Sequence, residues 1–330
     1  MRIATYNVEW FSNLFDDDGS LLDDLAWSGR HNVKRQEQLE ALGIVFTAMN
    51  ADAVMIIEAP DSHARRDGVR ALENFASVMG LRTRRAVQGF VNDTQQEISL
   101  LFDPDKIEVR HDPRGHPRFD QEYQIDLDVD SALDRVRWSK PPLELSVETK
   151  SGTRFRMIGV HAKSKAPHGA RRKDEVMRIA IANRRKQLAQ CIWLRERVED
   201  HLDAGDALIV LGDFNDGPGL DEYERLFGRS GVEIVIGSEG ETQLFDPHAE
   251  AMLRRGLGGV TPTTARFWIK DRWMQALLDY VMVSPDLRDK AGRWCIWHPF
   301  DEPLCAQTPE LRDALLVASD HFPVSVDLDI

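Results

Sequence analysis

Short apolar runs rich in β-branched residues recur from one end of the chain to the other, and polar side chains of one chemical kind sit at their ends. The runs cover residues 2–6, 53–57, 97–102, 143–147, 154–160, 207–211, 234–236, 279–283 and 323–329. Several alternate apolar with polar residues, the mark of a strand with one covered face. Helical patterns over 33–49, 69–79 and 175–199 lie between them. The first carries Leu39, Leu42, Ile44, Val45 and Met49 on its apolar side, with Asn50 as a stop. The order is not a strict βαβ alternation, because the strands cluster in two halves, each with its helices. This predicts an α/β (α+β) chain with two packed sheets covered by helices, a single domain over 1–330. Residues 12–32 and 304–314 read as long loops or short helices.

The polar residues at the run ends are ones a core would not choose. Asn7 and Glu9 follow the first run and Glu58 ends Val54-Met55-Ile56-Ile57. His161 ends Met157-Ile158-Gly159-Val160, and Asp213 and Asn215 follow Leu208-Ile209-Val210-Leu211-Gly212. Asp279 opens Asp279-Tyr280-Val281-Met282-Val283, and Asp320-His321 precedes Phe322-Pro323-Val324. Taken singly, a carboxylate there is a turn or helix cap, a histidine is a hydrogen-bonded structural group, and Asn215 is a turn former. Taken together they share a purpose. Carboxylates and amides are the oxygen ligands a hard cation such as Mg²⁺ requires, and imidazoles transfer protons near neutral pH. Strand ends are where a rigid scaffold can aim such groups into one cleft.

The segments Ala4-Thr5-Tyr6-Asn7-Val8-Glu9, Met55-Ile56-Ile57-Glu58, Gly159-Val160-His161-Ala162-Lys163-Ser164-Lys165, Leu211-Gly212-Asp213-Phe214-Asn215, Leu278-Asp279-Tyr280-Val281 and Ser319-Asp320-His321-Phe322-Pro323 resemble, in order, the motifs of the DNase I-like (endonuclease/exonuclease/phosphatase) superfamily. The resemblance spans almost the whole chain. It implies two mixed sheets stacked face to face in a four-layer sandwich, with the site at one edge. It implies Mg²⁺ or Mn²⁺ as cofactor, with Glu58 a direct ligand, Asn7 and Glu9 beside it, and Asp320 contributing directly or through water. It implies that Asp213 polarises the attacking water and Asn215 holds a phosphate oxygen. His321 would contact the phosphate or act as base, oriented by Asp279, and His161 would protonate the leaving oxygen.

The sequence also departs from that pattern. Glu9 and Pro60 stand where DNase I has arginines that enter the DNA minor groove. The glutamate that partners the first imidazole in DNase I falls near Gln96-Glu97. Stretch 103–142 shows no counterpart of the family's phosphate-contacting tyrosine.

Substrate is less legible. The net charge of −13 argues against tight non-specific binding to nucleic acid, unless a local basic rim reverses the field. Lys163 and Lys165 supply such a rim beside His161, followed by Arg171-Arg172-Lys173 and Arg184-Arg185-Lys186. The latter two clusters read equally as solvated surfaces. Trp268 and Trp273, in a loop before Asp279, are placed to stack on an unpaired base or to pack internally. The expected activity is hydrolysis of a phosphodiester, with nucleic acid as substrate. The alternatives are a phosphatase or phosphodiesterase acting on a small or lipid-linked phosphate ester, and a non-catalytic binding module. Three cysteines lack metal-ligand spacing, and neither a leader nor a membrane span is visible, so a cytoplasmic protein without stable membrane association is expected.

Overall fold

The computed structural model describes residues 1–125, 134–167, 172–219, 228–254, 261–269 and 271–330. In chain order the strands are β1 (Arg2–Asn7), β2 (Ala53–Ala59), β3 (Arg85–Gln88), β4 (Glu97–Phe102), β5 (Ile107–His111), β6 (Glu122–Ile125), β7 (Asp134–Arg137), β8 (Leu143–Thr149), β9 (Arg154–His161), β10 (Leu208–Asp213), β11 (Ala265–Ile269), β12 (Arg272–Ala276), β13 (Asp279–Val283), β14 (Ala291–Ile296) and β15 (Val324–Leu328). The helices are α1 (Arg35–Met49), α2 (Gly68–Val78), α3 (Lys173–Asp203), α4 (Gly231–Ile236), α5 (Pro247–Arg254), α6 (Pro285–Arg288), α7 (Pro303–Gln307) and α8 (Pro309–Ala318). One sheet runs β14-β15-β1-β2-β4-β3 and the other β13-β10-β9-β8-β5. Both are mixed, since β1–β2 and β9–β10 are parallel and their other pairings antiparallel.

Period-2 alternation divides the apolar side chains into three cores. Ile3, Met55, Met157, Ile209, Leu211, Val281 and Val326 meet between the sheets. Val54 and Ile56, on the opposite face of β2, pack with Leu42 and Val45 of α1, Phe75 of α2 and Leu315 of α8. Ile158 and Val210 pack with Leu194 and Val198 of α3. The result is helices, sheet, sheet, helices, the stacked architecture expected from the order of the runs. Local signals set the helix ends: Asp67 caps α2 by accepting from Val69 N and Arg70 N, and Asn50 ends α1 in a left-handed conformation at φ 44°.

Two expectations are corrected. Residues 234–236 are not a strand; they end α4, where Ser230 caps the helix and Glu233 closes a capping box. Three β-branched residues gave a strand signal, but the cap and burial against α3 decide the outcome. Trp268 and Trp273 are not in a loop; they pair directly across the β11–β12 hairpin, both about half exposed. Residues 304–314, expected as a long loop or short helices, are largely the short helices α7 and α8, each started by a proline in its first turn.

Candidate active site

The site lies where the C-terminal ends of β1, β2, β9 and β10 meet the N-terminal ends of β13 and β15. Register explains the convergence. Asp213 pairs with His161 on one side and Asp279 on the other, so the three side chains form one row across the second sheet. Their parity continues Ile209–Leu211, Met157 and Val281 of the inter-sheet core. Asn7 likewise continues Ile3 and pairs with Ile57 in the facing sheet. The row is apolar inside the sandwich and turns polar at its edge.

Glu58 is the exception, and it is the one the alternation would misplace. Its parity belongs with Val54 and Ile56, facing the helices. A register shift between Ile57 and Ala59 and a backbone φ of 63° turn it back toward the cleft. There Gln96 Nε2 donates to Glu58 Oε2 at 2.7 Å, and Oε1 lies 4.0 Å from His161 Nε2. A non-glycine residue held in this conformation costs about 1–3 kcal/mol. Gly212 makes a related accommodation: at φ 137°, a Cβ on it would run into the Val160 carbonyl.

Buried polar groups must be satisfied, and most here are. Asp213 Oδ2 accepts from Asn7 Nδ2 at 3.0 Å and Asn215 Nδ2 at 3.1 Å, while Oδ1 accepts from Asn215 N at 2.7 Å. Asn215 Nδ2 also donates to Ala162 O at 3.1 Å, which engages both amide protons. His321 Nδ1 sits 2.8 Å from Asp279 Oδ2. Thr264 Oγ1 accepts from the Asp279 backbone N–H, and Ala265 bridges His321, so the β11–β12 hairpin buttresses this pair.

Electrostatics separate the two imidazoles. Burial opposes a charge on His321, but Asp279, and then Asp213 and Asp320, outweigh it and raise its pKa well above the usual value. His161 goes the other way: burial, then Lys140, His321 and Lys163, hold it well below. Burial pushes Asp213 up to about 7 against the opposing pull of His321. Burial raises Glu58 as well, although Lys140 and His321 oppose it. Glu9 is pushed up to about 7 by burial and by Asp320, despite its ion pair with Arg30 and a hydrogen bond from Trp10 Nε1.

All the expected ligand and catalytic residues therefore gather at one edge: Asn7, Glu58, His161, Asp213, Asn215, Asp279 and His321 by contact or register, Asp320 through its field on Glu9, Glu58 and His321, and Glu9 through the fields that Asp320 and Glu58 exert on it. Lys163 borders the cleft next to His161. Lys165 instead forms an ion pair with the fully buried Asp216. Arg171 and the side chain of Lys173 lie outside the described residues. Sequence reasoning missed Lys140. Its Nζ stands 3.1 Å from His161 Nε2 and 3.2 Å from Nδ1, where a glutamate partner had been sought near Gln96-Glu97. Gln96 holds Glu58 instead, and Glu97 accepts from Asn92. Lys140 came from stretch 103–142, which has no run or spacing to mark it.

A divalent cation fits this donor set. Asn7 Oδ1 is buried with no hydrogen-bond partner, because its amide nitrogen is turned to Asp213. Asp320 raises the pKa of both Glu9 and Glu58, and Glu58 raises that of Glu9, a like-charge repulsion that a cation would relieve. Potential ligand atoms of Asp213, Asp279 and His321 also lie within 4.8 Å of one another. In that group His321 Nδ1 is already bonded to Asp279, so its proximity is explained as an acid–base pair.

A family model for the endonuclease/exonuclease/phosphatase family matches residues 4–321. The chain belongs to that family. Its enzymes are phosphoester hydrolases that generally use divalent metals. Solved structures agree on the fold. Truncated TDP2 of Caenorhabditis elegans is 14% identical with a TM-score of 0.54, covering 98% of this chain and 96% of that one. The 3′-5′ exonuclease NExo of Neisseria meningitidis is 16% identical with a TM-score of 0.52, covering 100% of each. A mannosyl-6-phosphatase of Bacteroides thetaiotaomicron is 14% identical with a TM-score of 0.51, again covering 100% of each. At such identities the likeness shows the fold alone. No curated protein matches. Among the described residues no helix is long and apolar enough to cross a membrane.

Proposed function

We propose that residues 1–330 form one domain that hydrolyses a phosphodiester with the help of Mg²⁺ or Mn²⁺, as a nuclease or nuclease-like phosphodiesterase. The supporting observation is the single row His161–Asp213–Asp279 facing Asn7 and Glu58, with His321 held by Asp279. Glu58 and Asn7 Oδ1 would hold the cation, with Asp320 and the Arg30-tethered Glu9 beside them. When bound, the cation supplies a Lewis acid that polarises the phosphoryl group.

The side chains divide the remaining work. Asp213, raised toward neutrality and fixed by three hydrogen bonds, is placed to take the proton of an attacking water. Asn215 spends its amide on fixing Asp213 and the Ala162 carbonyl, so we assign it positioning of the base in place of a phosphate contact. Charged His321 and Lys140 supply positive charge for the phosphoryl oxygens. His161 stays neutral and can donate a single N–H toward the leaving oxygen. The absence of a nucleophilic serine or cysteine among these groups agrees with direct attack by water.

The fold neighbours span a nuclease and a sugar phosphatase by name, so a panel must decide. Plasmid, single-stranded DNA, RNA, bis-p-nitrophenyl phosphate and inositol phosphates are assayed with and without Mg²⁺. Cutting of nucleic acid that chelator abolishes is expected. Hydrolysis that persists in excess chelator, or turnover of inositol phosphate with no cutting of nucleic acid, would overturn the proposal.

A further inference from the structure

Beside the cleft, β7 and α3 enclose a groove of ≈ 540 Å³ whose lining includes Arg135, Arg137, Lys163, Arg185 and Lys186, with Asp134 as its carboxylate. Arg185 is committed to Asp134 at 2.7 Å. Among the described residues no carboxylate pairs with the other four cations. Four cations without a carboxylate partner thus line a single groove in a chain of net charge −13.

The groove is a built feature. Gln190, 3% exposed, accepts from Lys163 N at 2.9 Å and donates to Arg137 O at 3.2 Å, tying β7 to the strand-end loop that carries Lys163. Burial, and then the neighbouring Lys186, lower the pKa of Lys163, so these two ammonium groups repel one another across the groove. An anion between them would relieve that repulsion. The groove is also continuous with the chemistry. Lys163 lies two residues beyond His161, and Ser139, also in the lining, precedes Lys140, whose Nζ touches His161.

We propose that this groove binds a second phosphate of the substrate, one that is not itself cleaved, through Arg137, Lys163 and Lys186. The protein would therefore select a substrate that carries phosphates in series over an isolated ester. This rests on the phosphoesterase reading above. Two sources share the chemistry: the next phosphate along a polynucleotide, and a second phosphate on a small polyphosphorylated alcohol.

The test compares full-length wild type with Lys186→Gln and Arg137→Gln in Mg²⁺, after melting curves confirm that the variants fold. Substrates are an oligothymidylate, a doubly phosphorylated inositol and bis-p-nitrophenyl phosphate, which offers one phosphate only. We expect each variant to lower kcat/KM several-fold more for a multiply phosphorylated substrate than for bis-p-nitrophenyl phosphate, mainly through KM. If the oligonucleotide is the substrate affected, the slope of log kcat/KM against log salt should become shallower by about 0.7 per lost contact. If the inositol is affected instead, the subsite stands and the small polyphosphate is its source. An equal fall on all three substrates, or no change in the ratio and the salt slope, would overturn the subsite. Failure of wild type to hydrolyse even bis-p-nitrophenyl phosphate in Mg²⁺ would instead sink the phosphoesterase reading on which it rests.

Discussion

His321 Nδ1 lies 2.8 Å from Asp279 Oδ2, both side chains buried, across 42 residues of sequence. The contact has a consequence for protonation. His321 is held charged above its usual range and His161 is held neutral below it, so two imidazoles of one cleft differ in charge at neutral pH. The raised His321 contributes stability that is present below its unfolded pKa and is lost as pH rises through its folded one. Histidine NMR titration of the metal-free protein should show His321 still protonated above pH 6.5, about the unperturbed value. Asp279→Asn should return that pKa toward normal and lower kcat by about 10²–10⁴-fold with less change in KM. An unchanged His321 titration in Asp279→Asn would disprove the pairing.

Glu58 sits in a left-handed conformation that glycine would adopt without cost. Glu58→Gly should therefore raise the stability of the metal-free protein by about 1 kcal/mol, helped by removal of a buried carboxylate. The same change should abolish the stabilisation that Mg²⁺ or Mn²⁺ confers, and with it activity. Glu58→Gln keeps the side chain's shape and should weaken metal binding without the gain in stability. Melting temperatures with and without metal separate these outcomes, and a Glu58→Gly protein still stabilised by metal would remove Glu58 from the ligand set.

The legible part of this molecule follows period-2 alternation. Ile209, Leu211 and Asp213 share a face, as do Met157 and His161, and Val281 and Asp279, so polar residues ending apolar runs point to one cleft. The fold followed from the same runs. What stayed hidden depends on contacts that alternation does not encode. Glu58 reaches the cleft only through a bulge, Lys140 arrives from an irregular segment, and the strands β3, β5, β6, β7, β11, β12 and β14 went unmarked in charged or short stretches. Residues 234–236 misled because three β-branched residues resemble a strand until the Ser230 cap is counted.

Lys140 is a test of charge placement. Burial lowers its pKa, while Glu58 and then Asp213 oppose that shift. Lys140→Met removes the charge and should lower kcat by about 10²–10³-fold, the effect of deleting one preorganised donor to a developing charge. It should also let the pKa of His161 rise, since Lys140 is the largest charge holding that ring neutral. Lys140→Arg, which restores charge, should recover part of the rate. A Lys140→Met enzyme at full rate would show that the amine only fills space.

Lys163 and Lys165 looked equivalent in the sequence, two lysines flanking one serine beside His161. The structure makes them opposites. Lys163 opens into the basic groove, whereas Lys165 is an ion-pair partner of Asp216, which is 0% exposed. Asp216 is also bonded by the backbone N–H groups of Gly217 and Gly231, and its carbonyl accepts from Tyr280 Oη, so it ties the loop after β10 to α4 and β13. Removing Lys165 takes the charged partner of this ion pair from a buried carboxylate in that junction, a loss of up to about 3–5 kcal/mol when a buried pair is broken. Lys165→Ala should therefore lower the melting temperature markedly and depress turnover of every substrate alike, through misplacement of Asp213 and Asn215. Lys163→Ala should leave the melting temperature near wild type and raise KM for multiply phosphorylated substrates. Thermal melts run beside steady-state kinetics distinguish the two, and a Lys165→Ala protein with wild-type stability and a raised KM would return Lys165 to the substrate rim.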